Sequence, residues 1–327
     1  MRLLKTRISF WRYLGVRAAA LTVLVFAICP VSQAQRAFET DILRDTFGYD
    51  RYSEKSVKLS DLKQGCRMRD CIRSIDKPKY VDAAYASFVA DDEPVLALEW
   101  NGEYRAWPTR IMDQHEIVND VIGGEPIAIT WCPLCGSAVG VKRTVNGEVT
   151  EFGVSGLLYN SDLVFYDRTT NTLWDQIEAK GIVGPLTGHA LELVPITLTT
   201  WRTWRMAHPQ TQVLSTDTGY FRDYSQDPYA SYRESDQLMF PVKSRSSRIR
   251  PKSVVYGFDI DGDKIAFTEA VLQAAATVDA DLDGRTVTAR LREDGSVRVI
   301  DGDSEHAPVR LFWFAWYTFH PDTELVE

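Results

Sequence analysis

Cys132 and Cys135 stand two residues apart, with Pro133 between them and Gly136 directly after. A thiol pair at this spacing can hold a soft metal ion, cycle between dithiol and disulfide, or form a plain structural disulfide. In a thioredoxin-like site the second cysteine opens a helix. Here the following run, Ala138-Val-Gly-Val-Lys-Arg-Thr-Val145, has period two instead. The apolar run Pro126-Ile-Ala-Ile-Thr130 leads in, and Asn146-Gly147 turns the chain afterwards. The local reading is therefore strand, tight thiol turn, strand, hairpin. Cys-Pro-x-Cys-Gly between strands looks like a metal-binding knuckle, in which Gly permits a left-handed turn and backbone N–H groups face the sulfurs.

Other side chains are candidates to complete such a site. His115 lies 17 residues before Cys132. It is the candidate third metal ligand, or the base that lowers a thiol pKa, with Glu116, Asn119 and Asp120 placed to orient it. The segment from Gly153 to Arg168 sets Asn160, Ser161, Asp162, Asp167 and Arg168 in a partly apolar frame, as a substrate cleft, and Asp162 and Arg168 are also candidate catalytic groups. The alternative for these polar residues is turn chemistry and an ion pair. Cys66 and Cys71, in a polar loop, read as a structural disulfide; the alternative makes them two further thiolates of a four-cysteine site. No Gly-x-Ser-x-Gly elbow and no His-Glu-x-x-His occur, and Gly181–Gly188 lacks the Gly-Lys-Ser/Thr ending of a phosphate loop, so no nucleotide cofactor is expected.

The start of the chain predicts the compartment. Arg2, Lys5, Arg7, Arg12 and Arg17 form a positive region without acids, and Ala18–Ile28 is an apolar stretch too short to span a bilayer comfortably. Ser32-Gln33-Ala34 offers a signal-peptidase site, so residues 1–34 read as a signal peptide whose removal takes Cys29 with it. A lipid anchor on Cys29 and an uncleaved membrane anchor are the lesser readings. The chain is expected to be exported, periplasmic or secreted, with no membrane span after cleavage. Of its 327 residues 293 then remain, and the net charge of −8 becomes −13 with the loss of five positives. That acidity argues against nucleic-acid binding. The four remaining cysteines are even in number and the compartment oxidising, so disulfides are allowed.

The positioning elements read as mostly β. Val95–Trp100 and Glu103–Trp107 form a hairpin around Asn101-Gly102, and Pro108 ends it. Within Thr109–Val121 a short helix is expected, with Ile111, His115, Val118 and Ile122 on one face. Residues 35–60 are polar and expected to be peripheral. Further on, Trp201-x-x-Trp204-x-x-x-His208-Pro209-x-Thr211 returns as Trp313-x-x-Trp316-x-x-x-His320-Pro321-x-Thr323. Val95–Trp107 also resembles Val254–Phe267, and Val139–Phe152 resembles Val287–Ile300. These matches predict an internal duplication. The expected fold is mainly β with short helices (α+β), in two related β-rich halves, the second degenerate. Its units are a signal peptide (1–34), an N-terminal extension with the Cys66/Cys71 loop (35–89), a first repeat (90–249) and a shorter second repeat (250–327). The second copy has no cysteines and lacks the insertion around Tyr159–Gln176, so chemistry belongs to the first. His208 and His320, repeated after a Trp pair, read as structural caps.

A family resemblance rests on Asn101-Gly-Glu-Tyr-Arg-Ala-Trp-Pro108, His115-Glu-Ile-Val-Asn-Asp120, Cys132-Pro-Leu-Cys-Gly136, Phe152-Gly-Val-Ser-Gly156, Tyr159-Asn-Ser-Asp162, Tyr166-Asp-Arg168 and Phe319-His-Pro-Asp-Thr-Glu324. Together they resemble the exported prokaryotic family called domain of unknown function 3179, from about residue 75 to the end. The resemblance implies a β-rich domain in an exported protein and no established activity. Cys66 and Cys71 fall outside those motifs. Three functions follow from the residues. The first is a copper or zinc site at Cys132, Cys135 and His115, beside a cleft. The second is thiol–disulfide exchange with a redox partner. The third is a non-catalytic binding module, for a small molecule, with a structural disulfide.

Overall fold

The computed structural model describes residues 42–327. The expected signal peptide and Cys29 lie outside the described residues. Two short strands, β1 (Leu62–Gln64) and β2 (Tyr80–Asp82), flank the Cys66–Cys71 loop, whose cysteines are bonded to each other. The segment before them is not peripheral: Ile42, Leu43 and Phe47 are buried with Leu62, Leu157 and Val164. Three apolar side chains in a polar stretch are enough to fasten it, because burying each contributes roughly 1.5–3 kcal/mol.

β3 (Pro94–Trp100) and β4 (Glu103–Pro108) form the expected hairpin, with Asn101 and Gly102 both at positive φ, as a two-residue hairpin turn requires. Alternation along β3 feeds two cores. Leu96 and Leu98 join Trp107 and Ile111 on one face, while Val95 and Ala97 meet Trp201 and Trp204 on the other.

The helix expected over Thr109–Val121 is only Thr109–Met112. The chain turns at Glu116, φ 58°, and continues as β5 (Ile117–Ile122), which pairs through Gly123-Gly124 with β6 (Glu125–Cys132). Tertiary pairing overrides the helical spacing of Ile111, His115, Val118 and Ile122, since Ile117–Ile122 has a strand partner available. β7 (Ser137–Lys142) returns beside β6, so the thiol motif is the turn between two paired strands, as read. A small ribbon, β8 (Thr144–Val145) and β9 (Glu148–Val149), turns at Asn146-Gly147.

The following segment builds its own sheet: β10 (Phe152–Tyr159), β11 (Asp162–Asp167), β12 (Leu173–Asp175) and β13 (Lys180–Val183), with β1 added at its edge. Then β14 (Leu193–Val194) joins β7, β15 (Thr197–Thr200) joins β3, the helix Trp201–Ala207 covers that sheet, and β16 (Gln212–Leu214) runs parallel to β4.

The remaining strands are β17 (Val254–Ile260), β18 (Asp263–Thr268), β19 (Thr277–Leu282), β20 (Arg285–Leu291), β21 (Val297–Asp301), β22 (Ser304–His306), β23 (Val309–Phe312) and β24 (Glu324–Val326). Their order is β23-β17-β18-β24 in one sheet and β19-β20-β21-β22 in the other, which matches β15-β3-β4-β16 and β5-β6-β7-β14 strand for strand. The Trp motifs occupy equivalent helices, Trp201–Ala207 and Trp313–Phe319. Both helices end on His, and in each the second Trp donates 2.9 Å to the Thr seven residues on. The correspondence also corrects one match. By strand order the β20–β21 turn around Asp294-Gly295 stands where the thiol turn stands between β6 and β7, and not where the Asn146-Gly147 ribbon stands, because β8–β13 lie between β7 and β14 with no matching strands between β21 and β22. Sequence similarity of hairpins misled here, since Asn-Gly and Asp-Gly turns recur wherever a two-residue loop is needed.

Candidate metal centre

Period two decides where the thiols point. Ile127, Ile129 and Trp131 of β6 face Leu96, Trp107 and Ile111, whereas Ala128 and Cys132 face Val139, Leu163 and Phe165. Cys132 therefore looks toward the β10–β11 hairpin. The turn is held by its carbonyls: Cys132 O accepts from Cys135 N at 3.2 Å, Leu134 O from the Tyr232 hydroxyl at 3.0 Å, and Cys135 O from Phe312 N at 2.7 Å. Gly136 sits at φ 60° with the Phe312 ring against it. The second half of the molecule thus clamps the turn that carries the cysteines.

Both cysteines are free and buried, Cys132 2% exposed and Cys135 not at all. Asn160 and Ser161, both at positive φ, turn β10 into β11 and bring the Ser161 carbonyl to 3.3 Å from Cys135 Sγ and 4.0 Å from Cys132 Sγ. Asp162, fully buried, completes the cluster: one carboxylate oxygen and the two sulfurs lie within 4.8 Å of one another. Asp162 Oδ2 accepts from the Gln176 and Ile177 amides at 3.2 Å, but Oδ1 has no hydrogen-bond partner. Burial, then the neighbouring Cys132, pushes the Asp162 carboxyl well above its usual range. Burial and the neighbouring Cys132 likewise push the Cys135 thiol up. Anions crowded in one dry site repel and lose hydration, so Asp162 and Cys135 favour their protonated forms unless a cation replaces the protons.

Gln176 ties the two parts together. Its Nε2 donates to Thr130 Oγ1 at 3.1 Å and to the Ser137 carbonyl at 3.2 Å, while its Oε1 accepts from Ser137 Oγ at 2.6 Å. Sequence reasoning passed over Gln176; the available signal was its place in the insertion absent from the second half.

His115 does not join the sulfurs. Its Nδ1 lies 2.6 Å from the Arg73 carbonyl and its Nε2 2.6 Å from the Tyr224 hydroxyl, which in turn meets Thr218 Oγ1 at 2.6 Å. It is fully buried and fastens the strap 218–224 to the segment just before β5. The expected helix would have carried its ring elsewhere; the turn at Glu116 leaves it outside the last β5–β6 pair. Neither does the expected cleft wall form. Asp167 ends β11, about 16 Å along the strand from Asp162, and Arg168 follows it. Asp167 accepts from Thr170 and from Trp174 Nε1, and Arg168 donates to Asp76 at 2.7 Å, to Glu151 and to Ser74. Both are structural ties. Asn160 accepts from Lys243 N at 3.2 Å and lines a separate surface cleft of about 370 Å³.

The motif around His115 contributes elsewhere. Glu116 is buried, makes no side-chain hydrogen bond among the described residues, and is pushed up to about 8 by burial, then by Asp113. Asp113 is pushed up to about 6 by burial, although it accepts from Trp131 Nε1 at 2.7 Å. Asn119 is structural, bridging the Phe152 backbone and Asp76.

No curated protein and no solved structure is detectably similar to the chain. One family model does match, over residues 69–307, which takes in the thiol turn, the insertion and most of the second half. The chain thus belongs to the family described as protein of unknown function, DUF3179.

Proposed function

We propose that Cys132, Cys135 and Asp162 are the protein ligands of one transition-metal ion in an exported protein. The observation that carries this reading is the unpartnered Asp162 Oδ1 buried beside two free thiols. A buried acceptor without a partner costs about 1–3 kcal/mol, and a cation held jointly with the sulfurs would satisfy it. Two thiolates with one carboxylate suit zinc; copper(I), which prefers sulfur alone, would leave Asp162 outside its coordination. The Ser161 carbonyl, close to both sulfurs, is the nearest further oxygen. Bound there, an ion would lock the thiol turn to the β10–β11 hairpin.

The Cys66–Cys71 disulfide supports an oxidising compartment. A neighbouring dithiol that stays free in such a compartment is best explained by metal protection. Thiol exchange fits less well, because neither sulfur is exposed and, among the described residues, no cation acts on the Cys135 thiol. The matching strand orders of the two halves support descent by internal duplication, with the metal turn kept in the first half only.

The test is titration of metal-free protein with zinc and with copper(I) against a chromophoric chelator. One equivalent should bind, Cys135→Ser should abolish tight binding, and the His115→Gln variant should keep it. A site lost in His115→Gln and kept in Asp162→Asn would overturn the ligand assignment.

A further inference from the structure

On the opposite side of the thiol turn lies a cleft of about 440 Å³, between the two halves and walled on a third side by the strap that His115 fastens. That volume suits a small organic ligand. Trp131, Pro133, Leu198, Val254 and Phe312 give it an apolar body. Its charged side chains are all ion-paired: Arg110 with Glu93 at 3.0 Å, Arg310 with Glu269 at 3.0 Å, and Arg233 with Asp227 and with Asp113. A charged ligand would have to break one of these pairs or lie beside them unpaired. One polar position is unfilled. Asp113, 4% exposed, uses Oδ1 for Trp131, while Oδ2 is ion-paired with the Arg233 guanidinium at 3.7 Å. An acceptor and a donor thus stand side by side at one end of an apolar cleft, as an ion pair longer than an ordinary hydrogen bond.

We propose that this cleft binds an uncharged small molecule with an apolar body and one hydroxyl or amide group, which donates to Asp113 Oδ2 and accepts from Arg233. A hydroxyl or an amide offers both functions from one end. A carboxylate offers no donor to Asp113, and an ammonium offers no acceptor to Arg233. Trp131 and Phe312 supply flat faces for an aromatic or alicyclic body. The site is independent of metal: the sulfurs face away from it, and only Pro133 and Gly136 of the thiol turn line it.

The probes are four compounds of one skeleton, 3-phenylpropan-1-ol, 3-phenylpropanamide, 3-phenylpropionate and 3-phenylpropylamine. Their affinities for the full chain at neutral pH are read by saturation-transfer NMR and Trp fluorescence. The alcohol and the amide should bind and displace each other, with both charged analogues about tenfold weaker or worse. Leu198→Trp, which fills the cleft, should remove binding while the thermal midpoint holds; Val254→Trp does the same from another wall if the first variant fails to fold. The proposal is overturned if a charged analogue binds as tightly as the neutral pair, if a folded cleft-filling variant binds like the parent, or if neither neutral compound binds at millimolar concentration.

Discussion

Asp162 and Glu116 are buried carboxyls with opposite prospects. Replacing Asp162 with Asn keeps the oxygen that accepts from the Gln176 and Ile177 amides and replaces a carboxyl that burial already holds protonated by an equally neutral amide, so the metal-free protein should melt close to the parent. Its zinc affinity should fall by about tenfold or more, the scale on which metal sites lose affinity even when only supporting groups are altered. Differential scanning fluorimetry with and without chelator reads both effects; a metal-free variant that melts well below the parent would mean Asp162 serves packing alone. Glu116, pushed up from 4.5 to about 8 by burial, holds its proton more tightly folded than unfolded. Between those values the unfolded chain ionises first, so stability falls as pH rises toward 8. The gap is worth up to about 5 kcal/mol. Denaturant unfolding at about pH 5 and pH 8 should show that loss in the parent and much less in Glu116→Gln. The thiol pair was legible from spacing alone, and Asp162 stood among the candidates. Its partnership with the sulfurs was not legible, because it depends on a hairpin laid over β6 from 30 residues away. His115 misled because a lone imidazole near a thiol motif in sequence says nothing of which face it takes.

The elements that place the site are hairpins whose turns the sequence spelled out: Asn101-Gly102, Gly123-Gly124 and Asn146-Gly147 all adopt positive φ. The thiol turn differs in being pressed from outside. A Cβ on Gly136 would lie 2.9 Å from the Phe312 ring at φ +60°, whereas one on Gly147, at φ +82°, meets nothing within 4 Å. Gly147→Ala should therefore cost about 1 kcal/mol for backbone conformation alone. Gly136→Ala should cost about 2–4 kcal/mol, the same term plus overpacking, and should loosen metal binding as the turn shifts. Equal losses in urea unfolding would show that the second half does not clamp the turn. The helix expected after Thr109 failed for a physical reason. Four apolar or aromatic residues at helical spacing also fit a strand when a neighbour such as β6 supplies hydrogen bonds, and one sequence cannot show that neighbour.

Across the whole molecule, two halves of equal strand order enclose a buried thiol cluster, the β10–β13 sheet covers it, and an N-terminal arm packs against that sheet. The mainly β class and the recurrence of the Trp motifs were readable, because alternation and spacing are local properties. The engagement of the 42–64 arm with the inserted sheet was not, since it rests on a few apolar residues in polar surroundings. The Cys66–Cys71 bridge closes only a short loop just after that arm, so Cys66→Ser/Cys71→Ser should lower stability by about 2 kcal/mol and leave metal stoichiometry unchanged. The central claim concerns the other pair. Its most direct measurement is X-ray absorption at the metal edge, with metal content, on protein purified from its native compartment without affinity-tag metal. The account predicts about one ion per chain, with two sulfur neighbours near 2.3 Å and oxygen near 2.0–2.2 Å. Metal-free protein with Cys132 and Cys135 joined as a disulfide, or an ion surrounded by nitrogen without sulfur, would contradict it.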